Sequence, residues 1–247
     1  MLSKCRKSQY QINYDCIPNT LDDTMFFGLT LDKDQKIFRD AIWDKEKVVV
    51  LCDSKSGSGK SLIATAVATL LVKFGYYDGI VYVMSPTQEQ AQGYLPGSIE
   101  EKSAPYMQPL FDALTSIGED PMISIKSDDN IQAQKDGRAY IDVCTDTFMR
   151  GINLEHKVVI IDEAQNFYFD QLKKVLTRIH DNSKCIVIGS SIQCDIIKHP
   201  ERSGFVPYIK AFESSGSDKC QICKLTKNYR GWLSNFADAV MLKDYMV

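Results

Sequence analysis

The chain has 247 residues, 44% of them hydrophobic and 25% charged, with a formal net charge of −3. That length bounds it to one good hydrophobic core or at most two small ones, and the composition excludes disorder of the whole chain. The charge excludes a polycation that holds nucleic acid through bulk electrostatics, and the longest apolar stretch, Leu62–Val72, is shorter than the about 20 residues that span a bilayer.

Residues 1–29 are polar and mixed, punctuated by Pro18 and Gly28, and read as a loosely structured lead-in. Met1–Lys7 is polar and basic with no apolar run behind it, so no secretory leader and no membrane association are expected, and the cytoplasm is the expected compartment. From Thr30 the pattern changes: Leu31-Asp-Lys-Asp-Gln35 precedes Ile37, Phe38, Ala41 and Ile42, which is helical spacing behind an acidic first turn. Short Val- and Ile-rich runs of strand length follow at Val48–Cys52, Ile80–Met84, Ala139–Cys144, Val158–Ile161 and Cys185–Ile188, with helical stretches at Ser61–Phe74 and Asp170–His180 between them. The runs are continuous rather than alternating, as in strands covered by helices on both faces. Strand–helix alternation on this scale predicts one α/β domain over 30–247 with a mostly parallel sheet. The proline-punctuated stretch 93–135 exceeds a minimal α/β unit and reads as an elaboration with one or two short helices in Ser98–Leu114.

The first strand run leads into Asp53-Ser54-Lys55-Ser56-Gly57-Ser58-Gly59-Lys60-Ser61, and an apolar helix begins at once. Strand, glycine-bearing turn and helix start are the context of a phosphate-binding loop. Backbone N–H groups of residues 54 to 61 and the helix N-terminus would cradle a β-phosphate, Lys60 would bridge β- and γ-phosphate oxygens, and the Ser61 hydroxyl would be a ligand for Mg²⁺. The pattern asks for glycine where this chain has Ser54, which would cost something if φ there had to be positive. The run Val158–Ile161 ends in Asp162-Glu163-Ala164-Gln165: Asp162 would hold the metal through water and Glu163 would take a proton from the attacking water. Cys185–Ile188 runs into Gly189-Ser190-Ser191-Ile192-Gln193.

Eight cysteines are scattered along the chain, several inside apolar runs, where they read as small buried side chains. Cys220 and Cys223 have the spacing of half a zinc site, and strand alternation explains that spacing as well.

Several segments resemble superfamily 1 helicases. Leu225-Thr-Lys-Asn-Tyr-Arg230 resembles their L-x-x-N-Y-R segment, which implies Arg230 as a finger toward the γ-phosphate. Gln193 matches the glutamine that touches the γ-phosphate, with Ser190 in the place of an aspartate, and Gln35 fits the upstream glutamine that reads the adenine edge. Taken together with Gly93-Tyr-Leu-Pro-Gly97, Met149-Arg-Gly151, Asp162-Glu-Ala-Gln-Asn166 and Leu176-Thr-Arg-Ile179, the chain resembles the PhoH family of phosphate-starvation-type ATPases. It looks like a divergent member: Ser54, Ser85-Pro86, Ile152-Asn153 and Ser190 stand where that family has other residues. The resemblance implies a three-layer, RecA-like P-loop NTPase, Mg²⁺-dependent ATP hydrolysis, and a homo-oligomer, in a hexameric ring, where Arg150, Arg178 or Arg230 acts across a subunit boundary. One RecA-like domain lacks the second jaw of a superfamily 1 helicase, so work on single-stranded RNA or DNA is expected only from an oligomer or with a partner. Seven Lys/Arg against three Asp/Glu between Lys198 and Arg230 are compatible with phosphate contacts or with a solvated face. The alternative is a nucleotide-gated structural or regulatory module with slow or no hydrolysis. A small-molecule kinase is a third option with less support.

Overall fold

The computed structural model describes residues 18–84, 107–145, 154–193 and 200–239. Ser85-Pro86, Gly93–Gly97, Met149–Gly151, Ile152-Asn153 and the first part of the elaboration lie outside the described residues, as do Cys5, Cys16 and Cys194. In chain order the elements are α1 (Lys33–Trp43), β1 (Val49–Ser54), α2 (Lys60–Lys73), β2 (Gly79–Met84), α3 (Gln108–Ser116), α4 (Pro121–Ser124), α5 (Ile131–Lys135), β3 (Ile141–Thr145), β4 (Lys157–Ile161), α6 (Phe169–Leu176), β5 (Lys184–Gly189), α7 (Phe205–Ser215), β6 (Cys220–Leu225) and α8 (Trp232–Ala239).

The six strands form one sheet in the order β3-β2-β4-β5-β1-β6, and every pairing is parallel. Side chains along each strand alternate between two buried layers, which is why the runs are apolar throughout. On one face Val50, Cys52, Ile80, Val158, Ile160, Ile186 and Ile188 meet Phe38 and Ile42 of α1, Ile63, Val67 and Leu70 of α2, and Leu110 and Leu114 of α3. On the other, Leu51, Val81, Val83, Val159, Ile161 and Val187 meet Leu172 and Val175 of α6 and Phe205 and Ile209 of α7. This is the three-layer α/β architecture expected from the sequence, with a sheet that is wholly parallel.

Three details depart from the sequence reading. Residues 18–29 carry no helix or strand, but Leu21 and Phe26 are buried in the first layer and Trp43 Nε1 donates to the Pro18 carbonyl at 3.3 Å, so this part of the lead-in packs. The helix foreseen over Asp170–His180 ends at Leu176. Cys220 and Cys223 lie on a sixth strand, Cys223 in the first layer and the Cys220 thiol against the Phe212 carbonyl at 3.6 Å. Three positions apart on a strand, the two thiols fall on opposite faces of the sheet. No helix among the described residues is long and apolar enough to cross a membrane.

Parallel strands all deliver their carboxyl ends to one edge of the sheet, where ligands of open α/β folds bind. There β1 opens into residues 55–59, β4 stops at Asp162 and β5 stops at Ser190, with β5 between the other two.

Candidate functional site

The loop after β1 bends through two glycines in the left-handed region, Gly57 at φ +72° and Gly59 at φ +86°. Gly59 is the N-cap of α2 and has no side chain to close it, so the first N–H groups of that helix are left for a ligand. Ser54 ends β1 and is not among the residues with positive φ, so the loop does not need glycine there and the departure costs no backbone strain. Ser58 is buried, and its hydroxyl has no hydrogen-bond partner among the described residues. Lys55 is exposed and Ser56 half-buried.

Lys60 opens α2, buried, with its ammonium 3.4 Å from Glu163 Oε1. Next to it, the Ser61 hydroxyl donates to Asp162 Oδ2 at 2.9 Å. Asp162 is buried at the end of β4, and its other oxygen, Oδ1, accepts the Glu163 N–H at 2.7 Å. Burial pushes the Asp162 carboxyl above its usual range, and the neighbouring Glu163 charge adds to this; Lys60, Tyr82 and Ser61 pull it back. Glu163 itself has φ +50°, an uncommon conformation for a residue with a Cβ, and this bend turns its side chain toward Lys60.

Gln165, the last residue of the acidic motif, has a part its sequence position does not announce. Its Nε2 donates to Glu163 Oε2 at 2.5 Å, and its Oε1 accepts the Ser190 N–H at 2.9 Å. One amide thus ties the ends of β4 and β5 together. The Ser190 hydroxyl accepts the Gln193 N–H at 3.3 Å, the turn-capping work an aspartate would do in its place. The Gln193 side chain is exposed and makes no hydrogen bond with this group. Sequence reasoning also missed Asp53, whose carboxylate holds the N–H and hydroxyl of Ser191 at 2.8 and 2.7 Å.

The segment after β6 folds back onto the loop. The Tyr229 N–H donates to the Gly57 carbonyl at 2.8 Å, and Asn228 Oδ1 accepts the Arg230 N–H at 2.8 Å. Arg230 is exposed, with its side-chain carbons packed over Gly57. Gln35 lies on the other side of the loop. It is buried; its Nε2 donates to the Ser58 carbonyl at 2.9 Å and its Oε1 accepts the Asp32 N–H at 3.1 Å. The same Asp32 closes the capping box of α1 and accepts the Tyr229 hydroxyl. Of the residues singled out from sequence, Gln35, Lys60, Ser61, Asp162, Glu163 and Arg230 therefore gather around one loop, and Gln193 joins the neighbouring turn after β5 through its backbone N–H.

These groups fit a magnesium nucleotide. Because the Ser61 hydroxyl gives its proton to Asp162, its lone pairs remain free for a cation. Two protein oxygens are few for a metal, but Mg²⁺ is held by one or two carboxylates together with waters and substrate phosphates. Ser58, a buried hydroxyl without a partner inside the loop, is the kind of donor that phosphate oxygens satisfy.

A family model described as PhoH-like protein matches residues 30–230. The chain is 31% identical over 227 residues to Protein PhoH2 of Bacillus subtilis (strain 168), covering 87% of this chain and 48% of that protein. It is 34% identical over 158 residues to a PhoH-like protein of Synechocystis, covering 63% of this chain and 45% of that protein. The chain thus spans about half the length of the curated relatives it matches. Among solved structures, the helicase domain of Pyrococcus furiosus Hef aligns at 18% identity over 77% of this chain and 37% of that one, with a TM-score of 0.43, and the fold assignment rests on sheet order rather than on that likeness.

Proposed function

The chain belongs to the PhoH-like protein family, and on that premise we propose that it binds ATP with Mg²⁺ at the loop 54–61 and hydrolyses it. One observation carries the reading: Lys60 and Ser61, consecutive at the start of α2, meet Glu163 and Asp162, consecutive at the end of β4, at 3.4 and 2.9 Å. This brings a cation, a hydroxyl and two carboxylates together beside the open N-terminus of α2, the set that a nucleotide with its metal would use.

In this reading the loop amides and Lys60 hold the β- and γ-phosphates, and Ser61 and Asp162 hold the metal, which neutralises charge on the phosphate oxygens. Glu163 accepts a proton from water as the water oxygen bonds to the γ-phosphorus and the bond to the bridging oxygen breaks, leaving ADP and phosphate. Lys60 and Arg230 offset the charge that gathers on the γ-phosphoryl oxygens. Gln35, fixed by Asp32 and Ser58, keeps one N–H and one lone pair for the base. Binding of single-stranded RNA or DNA, assembly into a homo-oligomer and a cytoplasmic location are further parts of the proposal. Their support is the basic excess between Lys198 and Arg230 and an exposed Arg230 beside the loop.

A nucleotide-gated module with slow or no turnover is the second reading, favoured by one observation: both Glu163 oxygens are held, by Lys60 and by Gln165. Phosphate release by the parent and by Glu163→Gln, with and without single-stranded RNA or DNA, decides between them. The hydrolase reading expects turnover in the parent alone and acceleration by a strand. A parent as inactive as Glu163→Gln overturns it in favour of the module, and a rate indifferent to RNA and DNA removes the nucleic-acid part.

A further inference from the structure

Within β2, the run Gly79-Ile-Val-Tyr-Val-Met84 is apolar except for one hydroxyl, that of Tyr82. The strand is buried along its whole length, and Tyr82 is 2% exposed. A phenylalanine would fill the same space without a polar atom to satisfy, and a buried hydroxyl left without a partner is costly. Its partner is a carboxylate: the Tyr82 hydroxyl donates to Asp162 Oδ2. Pairing of β2 with β4 sets this up, since Tyr82 stands opposite Ile160 and the Asp162 N–H reaches back to the Val83 carbonyl at 3.2 Å.

The bond allocates the lone pairs of a carboxylate that has about four acceptor sites. Oδ2 takes two donors, Tyr82 and Ser61, and Oδ1 takes one, the Glu163 N–H. One site remains, on Oδ1. Without Tyr82 the carboxylate keeps two of its three donors, and Ser61 alone holds Oδ2. Charge-assisted bonds to a carboxylate are among the stronger hydrogen bonds, so the loss is large enough to measure.

We propose that Tyr82 is a positioning residue for the cation of the nucleotide site: it holds the Asp162 carboxylate in one orientation, so that the remaining Oδ1 lone pair would stay available to the cation that Ser61 and Asp162 would hold. The proposal rests on the ATP–Mg²⁺ reading above and goes beyond it by adding a side chain from a strand that carries neither motif. Tyr82 touches neither nucleotide nor metal and acts only through Asp162.

The test is binding rather than turnover. ADP affinity is measured by calorimetry in EDTA and across a Mg²⁺ titration, for the parent, Tyr82→Phe and Tyr82→Met. Both variants lack the hydroxyl; methionine fills the site with a more adaptable chain should phenylalanine pack poorly. For either variant the Mg²⁺ concentration giving half of the metal-dependent gain in ADP affinity is expected to rise about tenfold, in keeping with the loss of one hydrogen bond to a charged group, while ADP affinity in EDTA stays within about twofold. In an Asp162→Asn background the same changes at Tyr82 are expected to leave the Mg²⁺ requirement where it is. Half-saturation unchanged in both variants, or a loss equally large in EDTA, overturns the proposal and leaves the ATP site standing. A parent that binds no ADP, or binds it with no response to Mg²⁺, overturns the ATP–Mg²⁺ reading and this inference with it.

Discussion

The Tyr229 backbone N–H donates to the Gly57 carbonyl at 2.8 Å, so the segment bearing Arg230 is hydrogen-bonded to the glycine-bearing loop before α2. A Cβ on Gly57 would stand 2.6 Å from Asn228 Oδ1 and 2.7 Å from Arg230 Cγ, at a φ of +72° that side chains avoid. Gly57→Ala is expected to push Asn228 and Arg230 off the loop. Strain in the left-handed region should cost about 1–3 kcal/mol of stability in urea unfolding, and ADP affinity should fall in the same variant.

Glu163 holds a strained backbone at φ +50° while carrying a carboxylate. The two roles separate by substitution. Glu163→Gly relieves the strain and Glu163→Ala keeps it, so the glycine variant is expected to be the more stable by about 1 kcal/mol in denaturant unfolding. Both should fail to release phosphate. Equal stability of the two would show that the bend is not a local cost.

Gln165 joins Glu163 Oε2 to the Ser190 N–H. Gln165→Ala frees the carboxylate and leaves a buried N–H without its acceptor, a loss of about 1–3 kcal/mol in stability. Nucleotide affinity is expected to change little, because Lys60 and the loop remain. Single-turnover hydrolysis should slow by about tenfold or more, as for a base that has lost its orientation.

Lys184 is a buried cation whose ammonium donates to the carbonyls of Asp44 and Lys47, with no carboxylate among these partners. Burial pushes its pKa down from 10.5 to about 8, against a smaller upward pull from Asp44. Between about 8 and 10.5 the unfolded chain therefore holds a proton that the folded chain has released. Stability from this group rises with pH across that window, by up to about 1.4 kcal/mol per unit. Buried thiols such as Cys185, pushed up to about 12, have the opposite slope once the unfolded thiols ionise. The measurement is consequently a difference: urea unfolding of the parent against Lys184→Met from pH 7 to 10, with the parent expected to gain on the variant as pH rises.

Much of the fold was legible because its signals are local. Continuous Val and Ile runs mark strands buried on both faces, and the glycine-bearing turn between β1 and α2 announces itself within nine residues. Asp162 and Glu163 were legible as an apolar strand stopping at two acids. What escaped depends on contacts made across the sheet. Tyr82 lies 80 residues from Asp162, and Gln165 lies 25 from Ser190. No spacing rule connects such pairs; the available signal was one hydroxyl in an otherwise apolar strand. Leu21 and Phe26 escaped because the apolar side chains between Pro18 and Leu29 keep neither a sustained helical nor a sustained strand period, although both are buried. The concern over Ser54 came from a sequence pattern, whereas the backbone places the need for positive φ at Gly57 and Gly59 instead.

Equilibrium binding of ATP in the presence of Mg²⁺, to the parent and to Lys60→Ala, tests the central claim most directly. The account predicts saturable binding by the parent and a loss of about a hundredfold or more in the variant, because Lys60 is a buried cation at the loop and a desolvated charge pair lost at a binding site costs about 2–5 kcal/mol. Equal affinity in the two proteins, or a parent that binds no ATP, would contradict it.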